Sequence, residues 1–234
     1  MKIKGIQEFT LLDYPGKLAC TLFLYGCNFK CGFCHNPELV LAPLGKDYTE
    51  EEILKFLEKR KGQLEGVCIT GGEPLMTLDA EFLKKIKDLG YSIKIDTNGS
   101  FPDFLEELIK KNLVDYVAMD IKSSRDRYQE ITNSDIDVKK IEKSIQIICS
   151  LLDYYEFRTT VIEDLHDDVE MQKIAEWLKK LCKGKPKKIA LQGFKNQGKF
   201  IDVSYKKKKD TTEKYLKELK DVLDDFFEEI EVRV

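Results

Sequence analysis

No apolar run in this chain approaches the roughly 18 residues that span a bilayer, so no membrane segment is predicted. Residues 1–9 are polar and mixed, which predicts no secretory signal. A strong charge of either sign is missing too. The 39 basic and 42 acidic residues leave a net charge of −3. No global field therefore draws the chain to nucleic acid or to an acidic membrane. No Pro/Gly/Ser-rich linker breaks the 234 residues, so a single domain covering 1–234 is expected. A disulfide framework is not expected either. Seven cysteines in such a chain point to a reducing cytoplasm and a metal site. Cys20, Cys68, Cys149 and Cys182 lie scattered among apolar neighbours and read as buried small hydrophobes.

What is present is alternation. Short apolar runs at 18–25, 66–70, 91–96, 114–119, 154–161 and 188–191 read as buried strands. Between them lie stripes at helical spacing, such as Phe82, Leu83, Ile86 and Leu89, or Met171, Ile174, Trp177, Leu178 and Leu181. Thr49 with Glu52 forms a capping-box pattern. A last helix is expected over 212–227, and 230–234 reads as a final short strand. Six strand–helix repeats predict an α/β fold with a parallel sheet, open or curled into a partial barrel. The basic run 206–209 reads as a solvated loop before the last helix, with a partner-binding or phosphate-binding patch as the alternative.

Cys27, Cys31 and Cys34 form C-x3-C-x2-C. Three soft thiolates can hold three corners of a [4Fe–4S] cluster and leave one iron open to a small molecule. The same stretch contains C-x-x-C-H, the attachment sequence of a c-type haem. That chemistry normally needs export and leaves Cys27 unexplained. A zinc site would need a fourth ligand, from Cys20 or His35. His35 follows a ligand directly and reads as structural; His166, between acidic residues at a helix start, reads as surface. No later CxxC-type group suggests a second cluster.

Functional residues in parallel α/β folds gather at the carboxyl ends of strands. Here those ends carry Gly26 and the cysteine loop, then Gly71-Gly72-Glu73-Pro74, then Asp96-Thr97-Asn98-Gly99, then Asp120-Ile121-Lys122. Bare glycine backbone can approach an anionic or zwitterionic ligand, and Glu73 can accept from an amino group. Asp96 and Asp120 are either loop caps or ligands to a ribose hydroxyl pair, a cation or both. Lys122 can offset a ligand carboxylate.

The cysteine spacing with Phe33 before the last cysteine, followed by Gly-Gly-Glu-Pro after the next strand, resembles the radical S-adenosylmethionine (SAM) superfamily. Asp13-Tyr14-Pro15-Gly16, Gly26-Cys27-Asn28, Cys34-His35-Asn36-Pro37-Glu38 and Asp96-Thr97-Asn98-Gly99 resemble the glycyl-radical-enzyme activating enzymes. Within these the chain is similar to the activating proteins of anaerobic ribonucleoside-triphosphate reductase, over roughly residues 5–200.

The resemblance implies a partial (β/α)6 barrel with parallel strands. It implies that Cys27, Cys31 and Cys34 ligate a [4Fe–4S] cluster whose open iron is chelated by SAM. Phe33, Gly71, Gly72, Glu73, Asp96, Thr97, Asn98, Asp120 and Lys122 would line the SAM site, with a monovalent cation near Asp96, Thr97 and Asp120. Arg158 and Gln192 would line it from later strands, Gln192 standing where some relatives have histidine. The implied reaction is reductive cleavage of SAM and hydrogen abstraction from a glycine of a partner enzyme. A low-potential donor such as flavodoxin or ferredoxin would supply the electron. Two other readings stay open: a radical SAM enzyme with a small-molecule substrate, as in carboxydeazaguanine synthase, and a non-enzymatic iron–sulfur protein with no SAM pocket.

Overall fold

The computed structural model describes residues 1–41 and 45–234. Their contacts group into two compact units. The first comprises Met1–Asn28, Asn36–Thr97 and Asp103–Val117; the second comprises Phe29–His35, Asn98–Pro102 and Ala118–Val234.

The first unit is built on β1 (Ile3–Thr10), β2 (Ala19–Leu24), β3 (Gly66–Gly71) and β4 (Ser92–Thr97). β2, β3 and β4 pair in parallel, in chain order. β1 is an addition to the predicted strands and pairs antiparallel with β2. Its sequence neither alternates cleanly nor runs apolar, and only its two end residues are buried. The connections carry α1 (Pro37–Val40), α2 (Glu50–Lys59), α3 (Ala80–Asp88) and α4 (Pro102–Lys110). The predicted capping box is present: the Thr49 hydroxyl accepts from Glu52 N–H at 3.1 Å, and the Glu52 carboxylate accepts from Thr49 N–H at 2.8 Å. Ile53, Leu57, Phe82, Leu83 and Ile86 turn the buried stripes of α2 and α3 inward. Burying such a side chain contributes about 1.5–3 kcal/mol.

β5 (Tyr116–Asp120) gives its first two residues to the first unit and its last three to the second. The second unit continues with α5 (Tyr128–Thr132), α6 (Val138–Leu151), β6 (Tyr155–Val161), α7 (Asp168–Leu181), β7 (Lys188–Gly193), α8 (Glu213–Leu223) and β8 (Glu229–Arg233). β6, β7 and β8 pair in parallel, so the expected final strand joins the sheet. Asp137, Asp167 and Thr212 cap α6, α7 and α8 through their side-chain oxygens. In the basic run, Lys208 pairs with Asp164 at 2.6 Å, while Lys206, Lys207 and Lys209 are exposed.

The cysteine reading needs one correction. Cys20 and Cys68 are buried thiols, as expected. Cys149, near the end of α6, and Cys182, just past α7, are half-exposed and disulfide-bonded. The two helix ends bring their Cα atoms to 5.4 Å, within disulfide reach. No helix among the described residues is long and apolar enough to cross a membrane.

Candidate active site

In the first unit, β2 and β3 end side by side. A Cβ on Gly71 would lie 2.2 Å from the Leu24 carbonyl oxygen, and one on Gly72 would lie 2.0 Å from that of Gly26. Gly71 also has a φ of +126°. Neither position admits a side chain, so the motif glycines are a geometric requirement here. Gly72 N–H donates to Leu24 O at 2.9 Å and Glu73 N–H to Gly26 O at 2.7 Å. This lacing brings Gly72 against Cys27, whose Cβ is 3.2 Å from the Gly72 Cβ position. Cys27 itself is half-exposed. Glu73 is fully buried; its Oε1 accepts from Leu75 N–H at 3.1 Å and from the Thr97 hydroxyl at 2.7 Å. Glu73 and Thr97 are thus brought together across neighbouring strand ends.

Asp96 pairs with Lys94, two residues earlier on the same face of β4. The Cys68 thiol of β3 donates to Asp96 at 3.7 Å and accepts from Lys94 Nζ at 3.7 Å. Lys94 is only 1% exposed. It went unnoticed in the sequence, although a lysine inside an apolar parallel strand is a signal in its own right.

In the second unit, Cys31 and Cys34 share a turn closed by Cys34 N–H donating to Cys31 O at 3.0 Å. Cys31 is buried and Cys34 half-buried. Burial pushes the Cys31 thiol up to about 11, with the Lys122 ammonium opposing. The loop is backed by the turn Val203–Lys207. Asp202 N–H donates to Gly32 O at 3.0 Å, a Cβ on Gly32 would lie 2.6 Å from the Tyr205 ring, and the buried Phe33 packs on that ring with centroids 5.9 Å apart. His35, an exposed residue, packs against Phe194 and Phe200, and partial desolvation holds its imidazole below the ordinary value. Asn98 closes its own turn, its Oδ1 accepting from Ser100 N–H at 2.9 Å and from the Ser100 hydroxyl at 2.6 Å.

Asp120, at the end of β5, accepts from Lys122 Nζ and from Arg158 Nε, each at 2.9 Å. Burial alone would raise its pKa, but the two cations outweigh that and hold the carboxyl down at about 2. For Lys122, burial lowers and Asp120 raises, and the net direction is up. Three of the expected site residues, Asp120, Lys122 and Arg158, therefore form one ion-paired group. Gln192 lies on β7 in register with Thr160 of β6 and Arg233 of β8.

His166 is a second correction. It is not on the surface but fully buried. Its Nδ1 accepts from Ile162 N–H at 3.1 Å, and its Nε2 lies 3.1 Å from the Lys122 carbonyl oxygen. The acidic neighbours that suggested exposure belong to the α7 start: Asp167 caps the helix and Asp168 opens it.

A profile of the radical SAM superfamily matches residues 21–181. A Methanocaldococcus jannaschii relative, whose name provisionally assigns it to the glycyl-radical enzyme activating enzymes, is 37% identical over 183 residues, covering 76% of this chain and 75% of that one. The pyruvate formate-lyase-activating enzyme of Clostridium pasteurianum is 29% identical over 239 residues, covering 93% and 98%. Among solved structures, Streptococcus suis SuiB bound to S-adenosylmethionine superposes with a TM-score of 0.68 at 14% identity, over 91% of this chain and 51% of that one. This likeness shows the fold, the partial barrel of parallel strands expected above.

Proposed function

The chain belongs to the radical SAM superfamily, and within it to the glycyl-radical-enzyme activating enzymes; from that premise we propose that it activates a partner glycyl-radical enzyme, anaerobic ribonucleoside-triphosphate reductase. The family uses a [4Fe–4S] cluster and SAM. The observation that carries the reading is the 37% identity over 183 residues to a relative named for this activity. The partner's identity rests on the sequence motifs alone.

What supports the cofactor assignment is the chemical kind of the donors. Cys27, Cys31 and Cys34 supply three soft sulfur donors, none of them in the Cys149–Cys182 bridge. In this reading they are the cluster ligands. With Cys31 held up at about 11, its proton must leave when metal binds, so loading releases protons. Gly71 and Gly72 form a cradle that any Cβ would fill. Glu73, fixed by Leu75 and Thr97, is the acceptor for the amino end of SAM. Lys122 is the partner for the SAM carboxylate, and Asp96 binds the ribose hydroxyls. When bound, a reduced cluster with SAM would supply the one-electron reductive chemistry by which a hydrogen atom is removed from a glycine of the partner. The protein contributes positioning, charge and exclusion of water. A low-potential flavodoxin or ferredoxin is the electron donor in this reading, and the cytoplasm its compartment.

The test is anaerobic reconstitution with iron and sulfide, then SAM and dithionite with and without the reductase. Expected are 5′-deoxyadenosine, lost in Cys34→Ala, and a glycyl radical on the reductase seen by electron paramagnetic resonance. SAM cleavage that never yields a radical on the reductase would remove that partner. Turnover of a small molecule instead would favour the carboxydeazaguanine synthase-like alternative.

A further inference from the structure

The segment that carries Asp120 and Lys122 is gripped from behind by residues with no part in the proposed chemistry. Side chains alternate along an extended segment, so Asp120 and Lys122 leave one face. Just beyond it, Ser123 and Ser124 meet the start of α7. Glu170, in the first turn of that helix, is 4% exposed and accepts from the Ser123 hydroxyl at 2.6 Å, Ser124 N–H at 2.8 Å and the Ser124 hydroxyl at 3.0 Å. Arg127 lies 3.8 Å from the same carboxylate.

His166 is the second grip, and its protonation follows from geometry. Nδ1 accepts from Ile162 N–H, so it carries no proton. The ring proton of the neutral imidazole is then on Nε2, which donates to the Lys122 carbonyl oxygen. A charged imidazolium would aim a second N–H at the Ile162 amide. The ring is therefore a neutral strut between the end of β6 and the backbone of Lys122. Its own backbone is pinned from two sides: His166 N–H donates to Ile162 O at 2.9 Å, and the Tyr215 hydroxyl of α8 donates to His166 O at 3.1 Å.

We infer that His166 and Glu170 are positioning residues that fix the Lys122 backbone, and through it the Lys122 ammonium that holds the carboxylate of SAM. This rests on the proposed role of Lys122. A strut of this kind acts on binding geometry rather than on the chemical step. Loss of an outer hydrogen bond that orients a binding group typically costs about 10-fold or more.

The test is SAM affinity of the cluster-loaded, unreduced protein, measured by equilibrium dialysis, with iron content and melting temperature as controls. His166→Phe should weaken SAM binding about 10-fold with iron content unchanged. His166→Gln, which keeps one acceptor and one donor, should recover most of the loss. Because the strut acts through Lys122, His166→Phe should add little further weakening to Lys122→Ala. Unchanged affinity in His166→Phe, or full additivity with Lys122→Ala, overturns the strut. Unchanged affinity in Lys122→Ala overturns instead the role of Lys122, so the two failures are distinct. If His166→Phe does not fold, Glu170→Gln carries the same cycle. An independent readout needs no variant. The chain has two histidines, so 15N-histidine spectra resolve His166 readily. A neutral ring protonated at Nε2 is expected, and a ring protonated at Nδ1 overturns the strut.

Discussion

Lys94 shows how one residue sets the cost of a site. Its ammonium is almost wholly desolvated, and it is tolerable there because Asp96 and Cys68 surround it. Breaking a buried pair from one side leaves a charge without compensation, which costs about 3–5 kcal/mol. Lys94→Met should therefore lower stability by about 3 kcal/mol, and adding Asp96→Asn should return part of that loss. Thermal unfolding of the single and double variants measures both effects; equal melting temperatures for wild type and Lys94→Met would contradict them. Asp120 makes a pH-dependent contribution. Its folded pKa of about 2 lies below the ordinary 3.8, so the unfolded chain takes up the proton first as pH falls. The stabilisation is complete above about pH 4 and is lost as pH falls through about 2, and it amounts to about 2 kcal/mol. Acid unfolding of wild type should show this extra loss relative to Asp120→Asn; superimposable acid limbs would show that the two cations do not hold the carboxyl down.

At the scale of elements, the second unit is held by contacts that lie outside the motifs. Glu156 on β6 is 1% exposed and accepts from both terminal nitrogens of Arg233 on β8, at 3.0 and 2.7 Å. Arg233→Ala should cost about 3 kcal/mol by removing two charge-assisted hydrogen bonds from the buried Glu156 carboxylate, a loss that chemical denaturation would register as a lower midpoint. The α6–α7 disulfide is a second brace. Alkylation of cluster-free, denatured protein without reductant should label the five thiols, Cys20, Cys27, Cys31, Cys34 and Cys68, and reductant should expose Cys149 and Cys182 as well. Seven labels without reductant would show that the bridge is open in solution. Neither brace was legible in the sequence, because ion pairing and disulfide pairing between distant positions depend on tertiary placement. The parallel strands were legible, since burial on both faces leaves continuous apolar runs. So were the helices, from their stripes and caps. β1 escaped because a half-exposed, mixed-composition strand has no such run. His166 escaped because its neighbours signal a helix start and say nothing about which way the ring turns. The glycines, the cysteines and Asp120 stood out because strand ends in this fold class announce themselves by breaks in an apolar pattern.

For the whole molecule, the decisive contact is with another protein, and the charge balance constrains how it forms. Thirty-nine basic and 42 acidic residues leave a net charge of −3 on 234 residues. Many of these charges are answered locally along the helices, as in Lys55–Glu51, Lys110–Glu106 and Lys217–Glu213. Such pairs contribute little to stability individually, but they shorten the reach of the field. Three exposed lysines, Lys206, Lys207 and Lys209, form one local concentration of positive charge, with Lys208 between them paired to Asp164; Lys179, Lys180, Lys183 and Lys185 form another. Long-range steering should therefore be weak. The rate at which the partner acquires its radical, measured at subsaturating partner, should change by less than about threefold between about 50 and about 300 mM salt. Recognition would then rest on shape and short-range contacts around the site. A steeper decline with salt, abolished when Lys206, Lys207 and Lys209 are changed to serine, would instead locate the encounter at that basic turn, the same turn that packs on the cysteine loop through Tyr205.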